Sequence, residues 1–379
     1  MEERIKEAAR HFEALLREQL QRQERMAQGT QQKDYEHAER IVIGIADGDG
    51  IGPIIMREAR RAAEKLLREE IASGRVELRD VPGLTIENRL ALGESVPAET
   101  LAAIRACDVF LKGPTTTPKG GTLESANVTL RRELDLYANV RPVCVPEEGI
   151  DWIFFRENTE GEYTLGSRGV EIPGALSMDF KVTTDAGTRR IARAAFDYAR
   201  ANGKTSVAIV TKANIMKKTD GMFSRIAHEV AADYPEITAE DWYIDIMTAN
   251  LVNPALRSRF QVFLLPNLYG DIITDEAAQI QGGVGTAGSA NIGGSCAMFE
   301  AVHGSAPRKI ENGEGDYANP SSILKALELL LRHIAMPEKA DRLAEALHVC
   351  TETERRVVVT GHRDGATCRA FGDYLLEKL

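Results

Sequence analysis

Apolar residues open the chain at helical spacing. Ile5, Ala8, Phe12, Leu15, Leu16 and Leu20 recur in steps of three and four, and residues 1–26 hold no Gly or Pro amid many Glu, Arg and Gln. That pattern predicts an amphipathic helix. The polar run GTQQKDYEHAER then reads as a linker, and the pattern changes at Ile41. IVIGIA is a continuous apolar run of buried-strand type, and VFLKGP, SVAIVTKAN and FQVFLLPNLYG repeat it. Between them, TTDAGTRRIARAAFDYARANG and PSSILKALELLLRHIA read as amphipathic helices, the first stopped by Gly203 and the second begun at Pro320. Alternating buried strands and helices imply an α/β fold with a mostly parallel core sheet. No internal repeat interrupts it.

At 379 residues the chain suits two domains, or one large α/β unit with an insertion. A net charge of -10 argues against nucleic acid as the main partner, because phosphate backbones need a basic face. It leaves room for a small anion held by a local cluster of Arg and Lys. Five widely spaced cysteines without a C-x-x-C point to reduced thiols in a cytoplasmic setting, not to a disulfide frame or a zinc site. No apolar run approaches a membrane span, so no membrane partner is expected. Glu2, Glu3, Glu7, Glu13 and Glu18 speak against a mitochondrial transit peptide, and no signal-peptide core is present. The first helix either docks on its own body, pairs with another subunit, or hangs loosely.

Candidate chemistry concentrates in residues 112–142, KGPTTTPKGGTLESANVTLRRELDLYANVRP. The stretch joins a Gly/Pro/Thr-rich loop, the pair Ser125 and Asn127, and the arginines Arg131 and Arg141, ten residues apart. Guanidinium groups grip carboxylates with paired charge-assisted bonds, so the stretch reads as a pocket for a small polyanion. A loop followed by a solvated charged helix is the plain alternative. Gly48-Asp49-Gly50-Ile51-Gly52-Pro53 superficially matches a dinucleotide fingerprint, but its third Gly comes one residue early and Pro53 follows. It reads instead as a tight turn that brings backbone close to another group. In PNLYGDIITDEAA, Asp271 and Asp275 stand four residues apart where a strand turns into a helix. Such spacing puts both carboxylates on one helix face, and hard oxygen donors without His or Cys suit Mg²⁺ or Mn²⁺. Stabilisation of the helix N-terminus is the competing explanation. Asp245 is a candidate third ligand. Lys212 follows an apolar strand, where desolvation would make it a base near neutral pH. Arg156 and Tyr163 add a further carboxylate clamp and a proton donor. Together these residues describe metal-assisted chemistry on a hydroxy-carboxylate.

From about Ile41 to Leu379 the chain resembles the isocitrate/isopropylmalate dehydrogenase family of β-decarboxylating oxidoreductases. The matching runs are GDGIGP (48–53), KGPTTTP (112–118), SANVTLR with NVRP, FRENTEGEY (155–163), KANIMKKTDG (212–221), NLYGDIITDEAA (267–278), SANIG (289–293) and FEAVHGSAP (299–307). The resemblance implies an open-sheet α/β fold without a classical Rossmann fingerprint. It implies a large cofactor-binding domain of residues 41–136 plus 282–379, a smaller α/β domain of 137–281, and residues 1–40 as a helical extension and linker. An arm near 161–183 would clasp a second copy, giving a homodimer or higher homo-oligomer with shared active sites.

The resemblance also implies roles. Asp271 and Asp275, with Asp245 from the opposite subunit, match the metal-binding aspartates. Lys212, also from the partner, assists removal of the substrate's hydroxyl proton as hydride passes to the nicotinamide. After loss of CO₂, Tyr163 protonates the enolate carbon. Arg131, Arg141 and Arg156 hold carboxylates, and Asn214 makes a polar contact beside the lysine. Lys112, Thr117, Glu300, His303, Gly304, Ser305, Ala306, Arg308, Lys309 and Asn319 match the cofactor-binding positions. Ser125 and Asn127 meet the substrate's variable arm; both are polar, which favours isocitrate over homoisocitrate, 3-isopropylmalate or tartrate. Arg308 and Lys309 stand where NAD-using relatives carry an acidic residue, and His362 and Arg363 lie in a segment brought near the adenosine. These groups favour NADP over NAD. A non-catalytic regulatory subunit is the reading from another class, but such chains lose a metal aspartate, the lysine or the tyrosine, and this one keeps them all.

Overall fold

The computed structural model describes residues 2–27, 33–118, 123–166 and 168–379. The start of the linker, the Gly-Gly tip of the 112–142 stretch (119–122) and residue 167 of the expected arm lie outside the described residues. In chain order the strands are β1 Ile41–Ala46, β2 Val76–Asp80, β3 Val109–Lys112, β4 Ala138–Val145, β5 Ile150–Glu157, β6 Val170–Ile172, β7 Leu176–Met178, β8 Ser206–Thr211, β9 Thr238–Tyr243, β10 Val262–Leu265, β11 Gly288–Ile292 and β12 Ala297–Ala301. The chain divides into two compact units, one of residues 1–31 with 137–277, the other of 32–136 with 278–379.

In the second unit the strands run in the order β2-β1-β3-β12-β11. All pair in parallel except β11 with β12. The apolar runs read as strands are these strands: β1 and β3 are buried at every position. Helix Ser321–His333 starts directly after Pro320 and packs its apolar stripe on β11 and β12. In the first unit the order is β4-β5-β10-β8-β9, parallel except for the β4–β5 hairpin. Helix Asp185–Ala201 covers β5 and β10 and ends two residues before Gly203, whose φ of 63° makes the left-handed turn. Phe154 and Phe263 stack under this sheet with ring centroids 4.3 Å apart. From β5 the chain leaves through residues 162–181, carries the β6–β7 hairpin, and returns where Gly161 and Val182 exchange backbone hydrogen bonds.

Of the three options for the first helix, Glu2–Ala27, the structure shows docking on its own unit, against helix Asp185–Ala201 and β6. Leu15 is buried, Phe12 meets Phe180 at 5.4 Å between ring centroids, and Glu18 takes both Arg168 terminal nitrogens at 2.9 and 2.6 Å. Ile5, Leu16 and Leu20 stay about half exposed. Among the described residues no helix is long and apolar enough to cross a membrane, and the five cysteines are free thiols.

The GDGIGP turn does what its near-miss spacing suggests. Gly50 has φ 59°, and a Cβ on it would sit 2.0 Å from the Ser305 carbonyl oxygen, to which Ile51 N–H donates at 3.0 Å. Asp49 N–H donates to Pro114 O at 2.7 Å, so the turn ties the loops after β3 and β12 together. Gly50→Ala is expected to destabilise the fold by about 1–3 kcal/mol from strain, plus the clash. Gly74, with φ 79° and open space around it, is the matched control. Chemical unfolding should show Gly74→Ala as clearly the milder change; equal losses would remove the tie from the account.

Candidate active site

Clusters of charge form in both units. In the first, β5 and β10 run side by side with Arg156 opposite Leu265, so the arginine lies next to the start of helix Asn267–Ile280. Its Nε and Nη2 donate to Asn267 Oδ1 at 3.0 and 2.6 Å, and Nη1 donates to Asp271. Space for this comes from Gly270, where a Cβ would lie 2.5 Å from Arg156 Cγ. Arg141 comes in from β4 and donates through Nη1 to Thr274 Oγ1 at 2.6 Å and to Asp275 Oδ1 at 3.1 Å; its Nη2 is 3.7 Å from Asp271. Tyr163 donates its hydroxyl to the other Asp271 oxygen at 2.7 Å, and the Arg156 guanidinium lies 5.4 Å from the Tyr163 ring centre. Both arginines are buried, while the Asp271 and Asp275 side chains keep 38% and 61% of their surface. The carboxylates therefore face outward over a floor of buried positive charge.

Lys212 and Asp245 form another pair in this unit. Lys212 follows β8, Asp245 opens helix Ile244–Leu251 after β9, and the lysine ammonium donates to the Asp245 carboxylate. The lysine is not the desolvated amine that its place after an apolar strand suggests, since it keeps 26% exposure and its charge is paired. Lys212 lies one residue past the end of β8, and its side chain reaches the surface. Its backbone is fixed from behind: Asp220, fully buried, accepts the Lys212 N–H at 2.7 Å and meets Lys181 Nζ at 2.6 Å. Asn214 is exposed in the following turn.

In the second unit Glu300 is the hub. Its Oε2 lies 3.1 Å from Lys112 Nζ, and its Oε1 receives Arg131 Nη2 at 3.2 Å and Asn291 Nδ2 at 3.0 Å. Burial pushes the carboxyl up, but Lys112 and Arg131 outweigh it and hold it at about 2. Lys112 and Glu300 thus face each other inside the unit, and Arg131 keeps one side toward the surface at 12% exposure. Ser125 precedes helix Ala126–Glu133 with no side-chain cap bond, and Asn127 accepts from Thr115 Oγ1 at 3.2 Å. Thr117, Gly304 and Arg308 are exposed, and His303 and Ala306 partly so. Ser305 is buried, its hydroxyl 2.7 Å from Thr116 Oγ1. Lys309 donates to Gly361 O, His362 lies 3.5 Å from Glu314, and Asn319 accepts from Ser321 N–H at 2.9 Å.

Arg131 and Arg141, read together in one stretch, fall in different units. Residues missed by sequence reasoning are the ones that hold others: Asn267, Thr274, Asn291, Asp220 and Asp49. Asp49 accepts the Ile86 and Thr116 N–H groups, each at 2.7 Å, and lies 3.9 Å from the buried Arg89. For Asp49 the flanking glycines were a signal; for the others spacing carries none, because their partners are far away in sequence.

Among the described residues no group of three or more His, Cys, Asp or Glu side chains gathers as a metal cage, so the three aspartates do not meet in one chain. Asp271 and Asp275 nevertheless fit a hard divalent cation, which is commonly held by one or two carboxylates completed by water and substrate oxygens. Exposed Arg308 fits a nucleotide phosphate.

Comparisons with known proteins identify the family. Residues 42–375 match the family model described as isocitrate/isopropylmalate dehydrogenase. A probable isocitrate dehydrogenase [NAD] subunit alpha, mitochondrial, of Caenorhabditis elegans is 37% identical over 87% of this chain and 89% of its own length. An isocitrate dehydrogenase [NADP] of Rickettsia felis is 40% identical over 82% of this chain but only 63% of its own length. The chloroplastic 3-isopropylmalate dehydrogenase of Solanum tuberosum is 41% identical over 79% of this chain and 82% of its own length. The crystal structure of isocitrate dehydrogenase from Methylococcus capsulatus superposes with a TM-score of 0.78 at 34% identity, covering 89% of this chain and 99% of that one. The chain belongs to the isocitrate/isopropylmalate dehydrogenase family, a family of NAD(P)-dependent β-decarboxylating dehydrogenases that use a divalent metal and small di- or tricarboxylate substrates.

The Glu300 hub makes a measurable prediction. A carboxyl at about 2 in the fold and near 4.5 unfolded adds stability above pH 4.5 that is lost as pH falls through 2. That contribution is about 3 kcal/mol. Glu300→Gln lacks it, so its deficit in urea unfolding should be large at pH 7 and shrink below pH 4.5. A deficit independent of pH would contradict the ionised hub.

Proposed function

We propose that the chain is an isocitrate dehydrogenase, converting isocitrate and NAD(P)⁺ to 2-oxoglutarate, CO₂ and NAD(P)H, with NADP preferred. The observation that carries the chemistry is the outward-facing Asp271–Asp275 pair backed by Arg141, Arg156 and Tyr163. Asp271 and Asp275 hold the divalent cation, Mg²⁺ or Mn²⁺, which when bound polarises the substrate's C2 oxygen as a Lewis acid. Arg141 and Arg156 turn part of their charge to substrate carboxylates, and Arg131 takes another. Lys212 accepts the C2 hydroxyl proton as hydride leaves C2 for the nicotinamide. Loss of CO₂ leaves an enolate, and Tyr163 delivers a proton to its carbon. Lys212 and Asp245, with Asn214 beside them, serve the site of a second copy, so the working form is a homodimer or larger. The failure of the three aspartates to gather in one chain supports this.

Ser125 and Asn127 support isocitrate. Both are polar and partly exposed, and the Ser125 hydroxyl is not used as a helix cap. An isopropyl arm would leave such groups unpaired, whereas a third carboxylate satisfies them. For the nucleotide, exposed Arg308 and the nearby Lys309, His362 and Arg363 suit a 2′-phosphate. Residues 112–117 and 303–306, with Asn319, form the remainder of the proposed cofactor contacts, Lys112 and Glu300 by shaping the loop that follows β3. The free thiols suit a reducing cytoplasm.

Steady-state rates with isocitrate, homoisocitrate and 3-isopropylmalate, each with NAD⁺ and NADP⁺, test the reading. Isocitrate with NADP⁺ should give the highest kcat/KM, about a hundredfold or more above 3-isopropylmalate. Higher turnover of 3-isopropylmalate would overturn the substrate assignment, and silence with every pair would overturn the enzyme. Arg308→Asp should move the NADP/NAD ratio about tenfold toward NAD; an unchanged ratio would refute its role. Asp271→Asn should lose metal-dependent turnover while keeping its circular dichroism spectrum.

A further inference from the structure

The family reading leaves the N-terminal helix without a task, yet one of its side chains reaches the segment that carries Arg156 and Tyr163. Glu157 ends β5 and Glu160 lies in the turn after it, and both are buried, at 2% and 3% exposure. Glu157 accepts from Thr159 N–H and Oγ1 and from Glu160 N–H, at 2.5–3.1 Å. Glu160 accepts from Thr184 N–H at 2.9 Å, from the Thr184 hydroxyl, and from Arg22 Nη1 at 3.2 Å. Arg22 Nη2 also donates to Thr159 Oγ1 at 2.9 Å, and Arg190, from helix Asp185–Ala201, donates to the same oxygen at 2.9 Å. Two buried carboxylates thus face two guanidiniums, one of them supplied by the N-terminal helix. The turn is also joined directly to the catalytic cluster. Glu160 O accepts Asn267 Nδ2 at 2.9 Å, and Asn267 Oδ1 takes two nitrogens of Arg156.

We propose that Arg22 is a positioning residue for the reaction: it balances the buried Glu157–Glu160 pair and so keeps the 157–163 turn in the shape that brings Arg156 and Tyr163 to Asp271. The N-terminal helix is then part of the active-site machinery. This rests on the reading of Arg156 and Tyr163 given under Proposed function. Above about pH 7, where both buried carboxylates are charged, removing one of the two guanidiniums leaves an unbalanced negative charge, which the protein must discharge by binding a proton or by opening the turn. A proton restores the balance, so the damage grows with pH. Glu157 is already poised for this. Burial first, and then the charge of Glu160, push its carboxyl up to about 7 against the opposing pull of Arg190 and the Thr159 bonds.

The test uses the full-length chain with the family substrate the wild type turns over best. Arg22→Ala is expected to lower kcat about tenfold at pH 8, less at pH 6, with the nucleotide KM unchanged. Arg22→Lys should retain much of the activity, because it keeps the charge. Adding Glu160→Gln to Arg22→Ala should recover most of the loss, because it removes the unbalanced carboxylate. The thermal midpoint supplies a readout that does not need turnover. A carboxyl raised from 4.5 to about 7 in the fold contributes stability that is present below 4.5 and lost as pH rises through 7. In Arg22→Ala that loss should extend to higher pH, so its midpoint should fall further below wild type at pH 8 than at pH 6. A folded Arg22→Ala enzyme with wild-type kcat and pH profile would overturn the proposal, leaving the helix a mere strut. So would a double variant as impaired as the single one. Wild-type silence on every family substrate would defeat the functional reading alone, and a deficit in midpoint that ignores pH would still overturn the charge balance.

Discussion

Asp271 is the group on which the first unit's site depends. Arg156 is almost wholly buried, and Arg141 nearly so. A buried guanidinium is tolerated only when anions and hydrogen-bond acceptors meet it. Asn267 and Asp271 do this for Arg156, and Thr274 and Asp275 do it for Arg141. One helix supplies all four acceptors, and strands β4, β5 and β10 carry or flank the arginines. The geometry of the sheet and the chemistry of the site are therefore one constraint. The arginines meet the aspartates from the buried side only, so both aspartates stay partly exposed.

The second unit solves a related problem by closing it off. Lys112, Arg131 and Asn291 surround Glu300, and the hub pins the end of β3 to β12, from which the 113–117 and 303–306 loops depart. Asp49 and Ile51 then bind those loops to the turn after β1. Charge buried in this manner adds little net stability compared with apolar packing, but it sets one arrangement of the loops. Relatives named for isocitrate and for 3-isopropylmalate lie at similar identity to this chain, 40% and 41%, so overall similarity does not separate the two substrates. In the proposed function, discrimination falls to the few polar positions at the start of helix Ala126–Glu133.

Much of this was legible from residue order. The apolar runs IVIGIA, VFLK and VFLL became buried strands, because continuous apolar stretches bounded by Gly and Pro leave a parallel sheet as the simplest burial. The four-residue spacing of Asp271 and Asp275 placed them on one face, where both meet Arg141. Glu300 was read as a nucleotide contact, and nothing local reveals its buried partners Lys112 and Arg131, which come from distant segments. Lys212 was expected to be desolvated, but its partner Asp245 lies beyond two further elements. Nor does the heptad-like pattern of the first helix show which side chains would matter; Arg22 continues the Ala8–Leu15 line as a charged residue and gains significance only from Glu160, far along the chain.

In the proposed function the buried arginines and a divalent cation share the Asp271–Asp275 pair, so a substrate carboxylate must draw the arginines before the cation is held firmly. Electron paramagnetic resonance of Mn²⁺ binding tests this without turnover. The account predicts that saturating isocitrate, with no nucleotide present, tightens Mn²⁺ binding by about tenfold or more. Equal Mn²⁺ affinity with and without isocitrate would contradict it.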